Sequence, residues 1–218
     1  MQWNTVIFDM DGLLIDSEPL WQEAADRVFR DYGLHLSPNL YSTTTGLRTR
    51  EFVDHWFRYF RFSGADAQDA EKRIIDTVVE LIRQKGRPMP GVEHIFNFFL
   101  GRNFKIGMAT SSGRAVIDEA VRLLGIAPYL QHISSAEDLP YGKPHPQVYL
   151  DCAEGLGSHP AACICFEDSF NGMIAAKAAR MKCILVPAAH DAQRPAWGAA
   201  DLKISSLQNF NELLLQGL

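Results

Sequence analysis

What most constrains this chain is a change in its periodicity. One apolar run, Val6-Ile7-Phe8, reads as a strand and ends at once in Asp9-Met10-Asp11-Gly12. From about residue 15 to residue 87 the apolar positions then recur at helical spacing, as in Leu20, Ala24 and Val28, in Phe52, Trp56 and Tyr59, and in Ile74, Val78 and Leu81. No convincing strand interrupts this block, and Gly33, Ser37-Pro38 and Ser63-Gly64 mark turns within it. The spacing predicts four or five helices.

After Pro88-Met89-Pro90-Gly91 the pattern becomes a regular alternation of helix and strand. Helices are expected over 92–101, 114–124, 146–156 and 169–180. Strands are expected at Lys105–Ala109, near His132–Ser134, at Ala162–Phe166 and at Lys182–Val186, with Leu202-Lys203-Ile204 as a possible edge. Strands joined by helices of this length imply right-handed crossovers and a mostly parallel sheet covered on both faces. The opening strand cannot bury itself alone, so it belongs to the same sheet. The expected organisation is therefore an α/β core from residues 1–14 and 88–218, with residues 15–87 inserted as an all-helical cap. In such sheets ligands bind beyond the carboxyl ends of the strands, where the strand order reverses.

Composition removes several other classes. The chain has 218 residues, 47% of them hydrophobic, enough for one large core and a smaller module. Its formal charge of −5, without a Lys/Arg stripe, argues against nucleic acid as a partner. No apolar run reaches the roughly 18 residues that span a bilayer, and the start lacks the form of a signal peptide. Cys152, Cys163, Cys165 and Cys183 lie in or beside apolar segments without CxxC spacing, and are expected as buried thiols. A cytoplasmic, monomeric protein is expected.

Four polar clusters fall where the strands end. Asp9 and Asp11, two residues apart, can offer one side chain and one backbone carbonyl to a common centre, an oxygen-rich set suited to Mg²⁺. Taken alone, the pair reads more readily as a solvated turn. Thr110-Ser111-Ser112-Gly113 opens a helix after a strand, which makes either a phosphate cradle or an ordinary N-cap. Lys143 sits between Gly142 and Pro144 in a proline-rich loop. Glu167-Asp168-Ser169 ends an otherwise apolar strand, a costly place for two acids unless a cation is present. A metal held by carboxylates, donors for phosphate and a carboxylate nucleophile together describe phosphoryl transfer through an aspartyl-phosphate.

The ordered set Asp9–Ser17, Thr110-Ser111, Lys143-Pro144 and Glu167–Gly172 resembles the haloacid dehalogenase superfamily, in particular its sugar-phosphate phosphatase branch with a helical cap inserted after the first motif. The stretch Ser135–Leu150 adds a similarity to phosphatases of the hexitol phosphate and 2-deoxyglucose 6-phosphate type. The resemblance implies a Rossmann-like α/β fold and a Mg²⁺-dependent phosphomonoesterase acting on a small phosphorylated metabolite. It implies Asp9 as nucleophile and Asp11 as general acid and base. Metal ligands would be Asp9, the Asp11 carbonyl and Asp168, with Glu167 in the inner or outer shell. Thr110, the Ser111 N–H and Lys143 would receive the phosphate. Arg48, in a cap loop after Gly46-Leu47, is a candidate substrate contact; Glu18 and Trp21 are candidate pocket residues.

Mutases related to β-phosphoglucomutase carry a histidine ten residues after the second acid of the first motif. Here that position is Trp21, which favours net hydrolysis. A dehalogenase has no need of Asp11. A phosphonate hydrolase needs a cap lysine, for which only Lys72 and Lys85 offer themselves. A phosphate-accepting signalling module is the alternative from another class. Such receivers are smaller and lack the helical insertion. The aromatic run Phe52, Trp56, Phe57, Tyr59, Phe60 and Phe62 is expected as cap core, and His145 as a support of the Lys143 loop.

Overall fold

The computed structural model describes residues 3–62 and 67–218, so the turn expected at Ser63-Gly64 lies outside the described residues. Six strands form one sheet: β1 (Thr5–Phe8), β2 (Lys105–Thr110), β3 (His132–Ser135), β4 (Cys163–Glu167), β5 (Lys182–Leu185) and β6 (Leu202–Lys203). Their order is β3-β2-β1-β4-β5-β6, and every neighbouring pair is parallel. Every residue of β1 and β4 is buried, as expected of strands covered on both faces. The chain steps outward from β1 to β2 and β3, then returns to the other side of β1 as β4. That reversal places the ends of β1, β2 and β4 around one crevice.

The helices between β1 and the rest of the sheet are α1 (Glu18–Asp31), α2 (Pro38–Tyr41), α3 (Thr49–Tyr59) and α4 (Ala67–Lys85). Those of the sheet layer are α5 (Val92–Leu100), α6 (Arg114–Leu124), α7 (Gln147–Gly155), α8 (Phe170–Ala178) and α9 (Glu212–Gln216). One sheet face packs on α5 and α6 through Phe96, Phe99, Val116 and Ile117. The other packs on α7 and α8 through Tyr149, Cys152, Met173 and Ala176. All four cysteines are free and buried.

The inserted helices bury the stripes their spacing predicts: Leu20, Ala24 and Val28 in α1, and Ala70, Ile74, Val78 and Leu81 in α4. A buried side chain of this kind contributes roughly 1.5–3 kcal/mol. Phe52, Trp56 and Phe57 are buried as expected, whereas Tyr59 is 57% exposed. Ser37-Pro38 forms a helix start in place of a plain turn: the Leu40 N–H donates to Ser37 Oγ at 3.3 Å, and α2 follows. The insertion leaves and rejoins the sheet layer through a short strap. There the Met89 N–H donates to Leu14 O and the Asp16 N–H to Arg87 O, both at 2.9 Å, around an antiparallel bridge between Ile15 and Pro88. The sequence division at 14/15 and 87/88 falls inside this strap. The insertion also rests on the sheet layer, where α4 packs on α6 and Arg83 pairs with the buried Glu119 at 2.7 Å.

Candidate active site

The crevice at the strand ends holds Asp9, Asp11, Glu18, Glu167 and Asp168 around one ammonium, that of Lys143. Asp9 follows β1 directly. Lys143 is 2% exposed, and its Nζ donates to Asp9 Oδ1 at 2.6 Å, to Glu167 Oε1 at 2.7 Å and to Ala109 O at 3.1 Å. Three acceptors use all three of its protons. Burial works against the ammonium, but Asp9 and Glu167 outweigh it and hold Lys143 above the usual lysine range. Burial pushes the Asp9 carboxyl up to about 7 despite the Lys143 charge, with Glu167 adding to the rise. Asp168 is driven well above the carboxylate range by burial and by its neighbours Glu167 and Asp9.

Such a set fits a divalent cation. One oxygen from each of Asp9, Glu167 and Asp168 lies within 4.8 Å of the others. The Asp168 side chain accepts no hydrogen bond among the described residues, and neither does the Asp11 carbonyl. Gly12 is at φ +74, and a Cβ there would collide with Asp168 Oδ2, so only glycine lets the first motif approach this carboxylate. Glu167 is differently placed. Its Oε1 accepts from Lys143 and, at 2.6 Å, from the Tyr149 hydroxyl. Its Oε2 accepts from the Ser169 hydroxyl at 3.0 Å and from the Asp168 and Ser169 N–H groups, each at 3.1 Å. Both oxygens are already occupied, which favours the outer of the two positions expected for it.

The Asp11 side chain is gripped by three donors. Ser17 Oγ and Trp21 Nε1 reach Oδ1 at 2.6 and 2.8 Å, and Ser112 Oγ reaches Oδ2 at 2.6 Å. Thr110 is buried, with its Oγ1 accepting from the Ser112 N–H at 3.1 Å. Ser111 Oγ donates to Gly46 O of the insertion at 2.8 Å, and the Ser111 N–H has no acceptor among the described residues. The Met10 and Asp11 N–H groups are likewise without one. These unclaimed donors lie just beyond the ends of the paired strands β1 and β2, as Asp9 does, and can cradle an anion.

Arg48 is not brought into this pocket. Its guanidinium turns to the loop before Lys143, donating to Leu139 O at 2.5 Å and Ala136 O at 3.2 Å, and pairs with Glu51 at 2.6 Å. The residues that pattern reading missed are Tyr149, Ser17 and Ser112. Tyr149 sits on the buried stripe of α7 and looks like plain core in sequence. The two serines lie inside motifs whose other members drew attention. His145 accepts from the Gln147 N–H at 3.3 Å, at the start of α7.

A family model for haloacid dehalogenase-like hydrolases matches residues 6–186, and the chain belongs to that family. Hexitol phosphatase B of Escherichia coli K12 is 41% identical over 202 residues, covering 92% of this chain and 91% of that one. A phosphorylated carbohydrates phosphatase of Thermotoga maritima is 31% identical over 176 residues, covering 81% of each. Among solved structures, β-phosphoglucomutase of Clostridium difficile superposes with a TM-score of 0.87 at 24% identity, covering 98% of this chain and 96% of that one. The named relatives in sequence are phosphatases, and this chain is a hydrolase of that kind.

Proposed function

We propose that the chain is a Mg²⁺-dependent phosphomonoesterase for sugar and sugar-alcohol phosphates, working through a phosphorylated Asp9. The observation that carries this reading is the Asp9 carboxylate itself. One oxygen is fixed at 2.6 Å from Lys143, the other accepts no hydrogen bond among the described residues, and the N–H groups of Met10, Asp11 and Ser111 at the ends of β1 and β2 have no acceptor there. The names of the two phosphatase relatives support the substrate class.

Asp9 would attack phosphorus in line, with Lys143 offsetting the repulsion between its carboxylate and the phosphate. The N–H groups of Met10, Asp11 and Ser111, with Thr110 beside them, would hold the phosphate oxygens. Asp11, oriented by Ser17, Trp21 and Ser112, would protonate the leaving alkoxide and then deprotonate the water that hydrolyses phospho-Asp9. General acid catalysis of this kind is worth about 10²–10⁴-fold. Mg²⁺ bound by the Asp9 and Asp168 carboxylates and the Asp11 carbonyl would supply the positive charge that five carboxyl groups and one ammonium leave wanting. Residues 15–87 would act as the cap that keeps stray water from the phosphoenzyme. Trp21 favours hydrolysis over phosphate return to the sugar. Its one ring N–H is given to Asp11, and an indole has no second nitrogen to carry a proton. Four unpaired buried thiols suit a reducing, cytoplasmic setting.

Phosphate release from a panel of phosphorylated metabolites, with and without Mg²⁺, tests the reading. Hexose and hexitol phosphates should lead the panel, and Asp9→Asn should abolish release. Preference for nucleotides or amino-acid phosphates would remove the substrate assignment.

A further inference from the structure

Tyr149 is fully buried in α7 and does not line the catalytic pocket, yet it meets the Lys143 ammonium in two ways. The ammonium nitrogen stands 5.0 Å from the centre of the tyrosine ring, within the roughly 6 Å over which a cation is drawn to an aromatic face. The hydroxyl donates at 2.6 Å to Glu167 Oε1, the same oxygen that accepts from Lys143 Nζ at 2.7 Å. Tyr149 and Lys143 are thus two donors on one carboxylate oxygen.

That carboxylate has no freedom to move toward either donor. Its Oε2 takes the Ser169 hydroxyl and the Asp168 and Ser169 N–H groups, at the start of α8. A Cβ at position 172, in the first turn of α8, would overlap the Glu167 carboxyl group, so only Gly172 lets the carboxylate lie this close to the helix. Lys143 therefore stands between a fixed Glu167 and Asp9, and one ammonium serves two carboxylates at 2.7 and 2.6 Å. A second donor on Oε1 takes up part of the Glu167 charge and loosens its hold on the ammonium. Without the Tyr149 hydroxyl, Lys143 would be the sole donor to Oε1 and would be drawn from Asp9, where its charge offsets the repulsion between carboxylate and phosphate.

We propose that Tyr149 is a positioning residue for phosphoryl transfer, acting through Glu167 to keep the Lys143 ammonium on Asp9. The inference rests on the phosphatase reading above and deepens it. It adds to the reaction a residue that touches no substrate and lies outside the four polar clusters at the strand ends.

A double-mutant cycle on the full-length enzyme tests this, with p-nitrophenyl phosphate and Mg²⁺ at a temperature well below the melting midpoint. Turnover is expressed per folded molecule, the folded fraction being read from the melting curve of each variant. Tyr149→Phe keeps the ring beside the ammonium and removes only the hydroxyl, and kcat should fall roughly tenfold. In Glu167→Gln the shared group no longer carries a charge, so adding Tyr149→Phe there should lower kcat by less than about twofold more. A tenfold fall that persists in the Glu167→Gln background would mean that Tyr149 does not act through Glu167, and overturns the inference. So does Tyr149→Phe turning over at the native rate, a result that stands even where Glu167→Gln does not fold and that leaves the phosphatase reading in place. No phosphate release by the native enzyme, from p-nitrophenyl phosphate or from a hexitol phosphate, overturns the phosphatase reading and the inference together.

Discussion

The indole N–H of Trp21 donates to Asp11 Oδ1 at 2.8 Å, across ten residues that join the end of β1 to the first inserted helix. The group assigned to proton transfer is thus held by the cap as well as by the sheet layer, where Ser112 takes its other oxygen at 2.6 Å. The position of α1 and the orientation of Asp11 are one geometric fact.

Trp21→Phe keeps the ring and removes the donor. A hydrogen bond of this kind is worth about 0.5–1.5 kcal/mol, so kcat should fall roughly 2- to 10-fold if the bond orients Asp11 in the transition state. KM should change little. Steady-state kinetics on a hexitol phosphate separates the two terms. An unchanged kcat would show that Ser17 and Ser112 alone suffice.

Tyr149→Phe deletes the buried hydroxyl that donates to Glu167 Oε1 at 2.6 Å. Glu167, itself fully buried, then keeps Lys143 on that oxygen but loses a donor. The cost should be about 1–3 kcal/mol. For a chain of this size that lowers the melting midpoint by roughly 2–12 °C. A thermal melt checks it, and an unshifted midpoint would mean the hydroxyl is energetically idle.

Metal-free stability should fall as pH rises, and Mg²⁺ should offset part of that fall. The Asp9 carboxyl titrates near 3.8 in the unfolded chain and near 7 in the metal-free fold. The unfolded chain therefore loses its proton first, and metal-free stability falls as pH rises from about 4 to 7. Glu18, pushed up by burial from 4.5 to about 8, extends the loss in the same direction. Lys143, held above its usual range, adds stability that lasts through this window and is lost only above it. Mg²⁺ binds the ionised carboxylates, so its stabilisation should be larger near pH 8 than near pH 5. At a hundredfold excess over Kd it should approach about 2.7 kcal/mol. Melting curves in chelator and in Mg²⁺ at the two pH values give the answer; an equal shift at both would contradict the charge account.

Arg48→Ala should weaken turnover of every substrate to a similar degree, because Arg48 ties the cap to the loop before Lys143 and does not itself line the pocket. A loss of about tenfold in kcat/KM is the expected scale for one partly buried charged anchor. The comparison of a hexitol phosphate with p-nitrophenyl phosphate is decisive. A loss confined to the hexitol phosphate would restore Arg48 as a substrate contact.

Much of this arrangement is legible in the sequence, for physical reasons. A buried parallel strand is a short continuous apolar run, and β4 and β5 declare themselves in Cys163–Phe166 and Lys182–Leu185. Acids cannot end such a run without a purpose, which draws attention to Asp9 and to Glu167-Asp168. The direction of a long side chain is another matter. Arg48 follows a glycine in a cap loop, and nothing local says whether its guanidinium turns inward to a ligand or outward to the Ala136 and Leu139 carbonyls. Tyr149 was hidden for the opposite reason. Its ring satisfies the helical stripe of α7, and the hydroxyl's partner lies eighteen residues away on another element. Likewise Trp21 shows in sequence only as the absence of a histidine, whereas the fold gives its N–H a positive task.

The claim on which the rest depends is that Asp9 carries the phosphoryl group. Asp11→Asn leaves the nucleophile intact but removes the acid and base of both steps; with p-nitrophenyl phosphate, whose leaving group needs no proton, only water attack is slowed, so brief incubation with it and Mg²⁺, acid quench and borohydride reduction should convert Asp9 to homoserine, readable by peptide mass spectrometry. The account predicts that modification on Asp9 alone, and none in Asp9→Asn. Phosphate release at full rate from Asp9→Asn, or an acyl phosphate found on another residue, would contradict it.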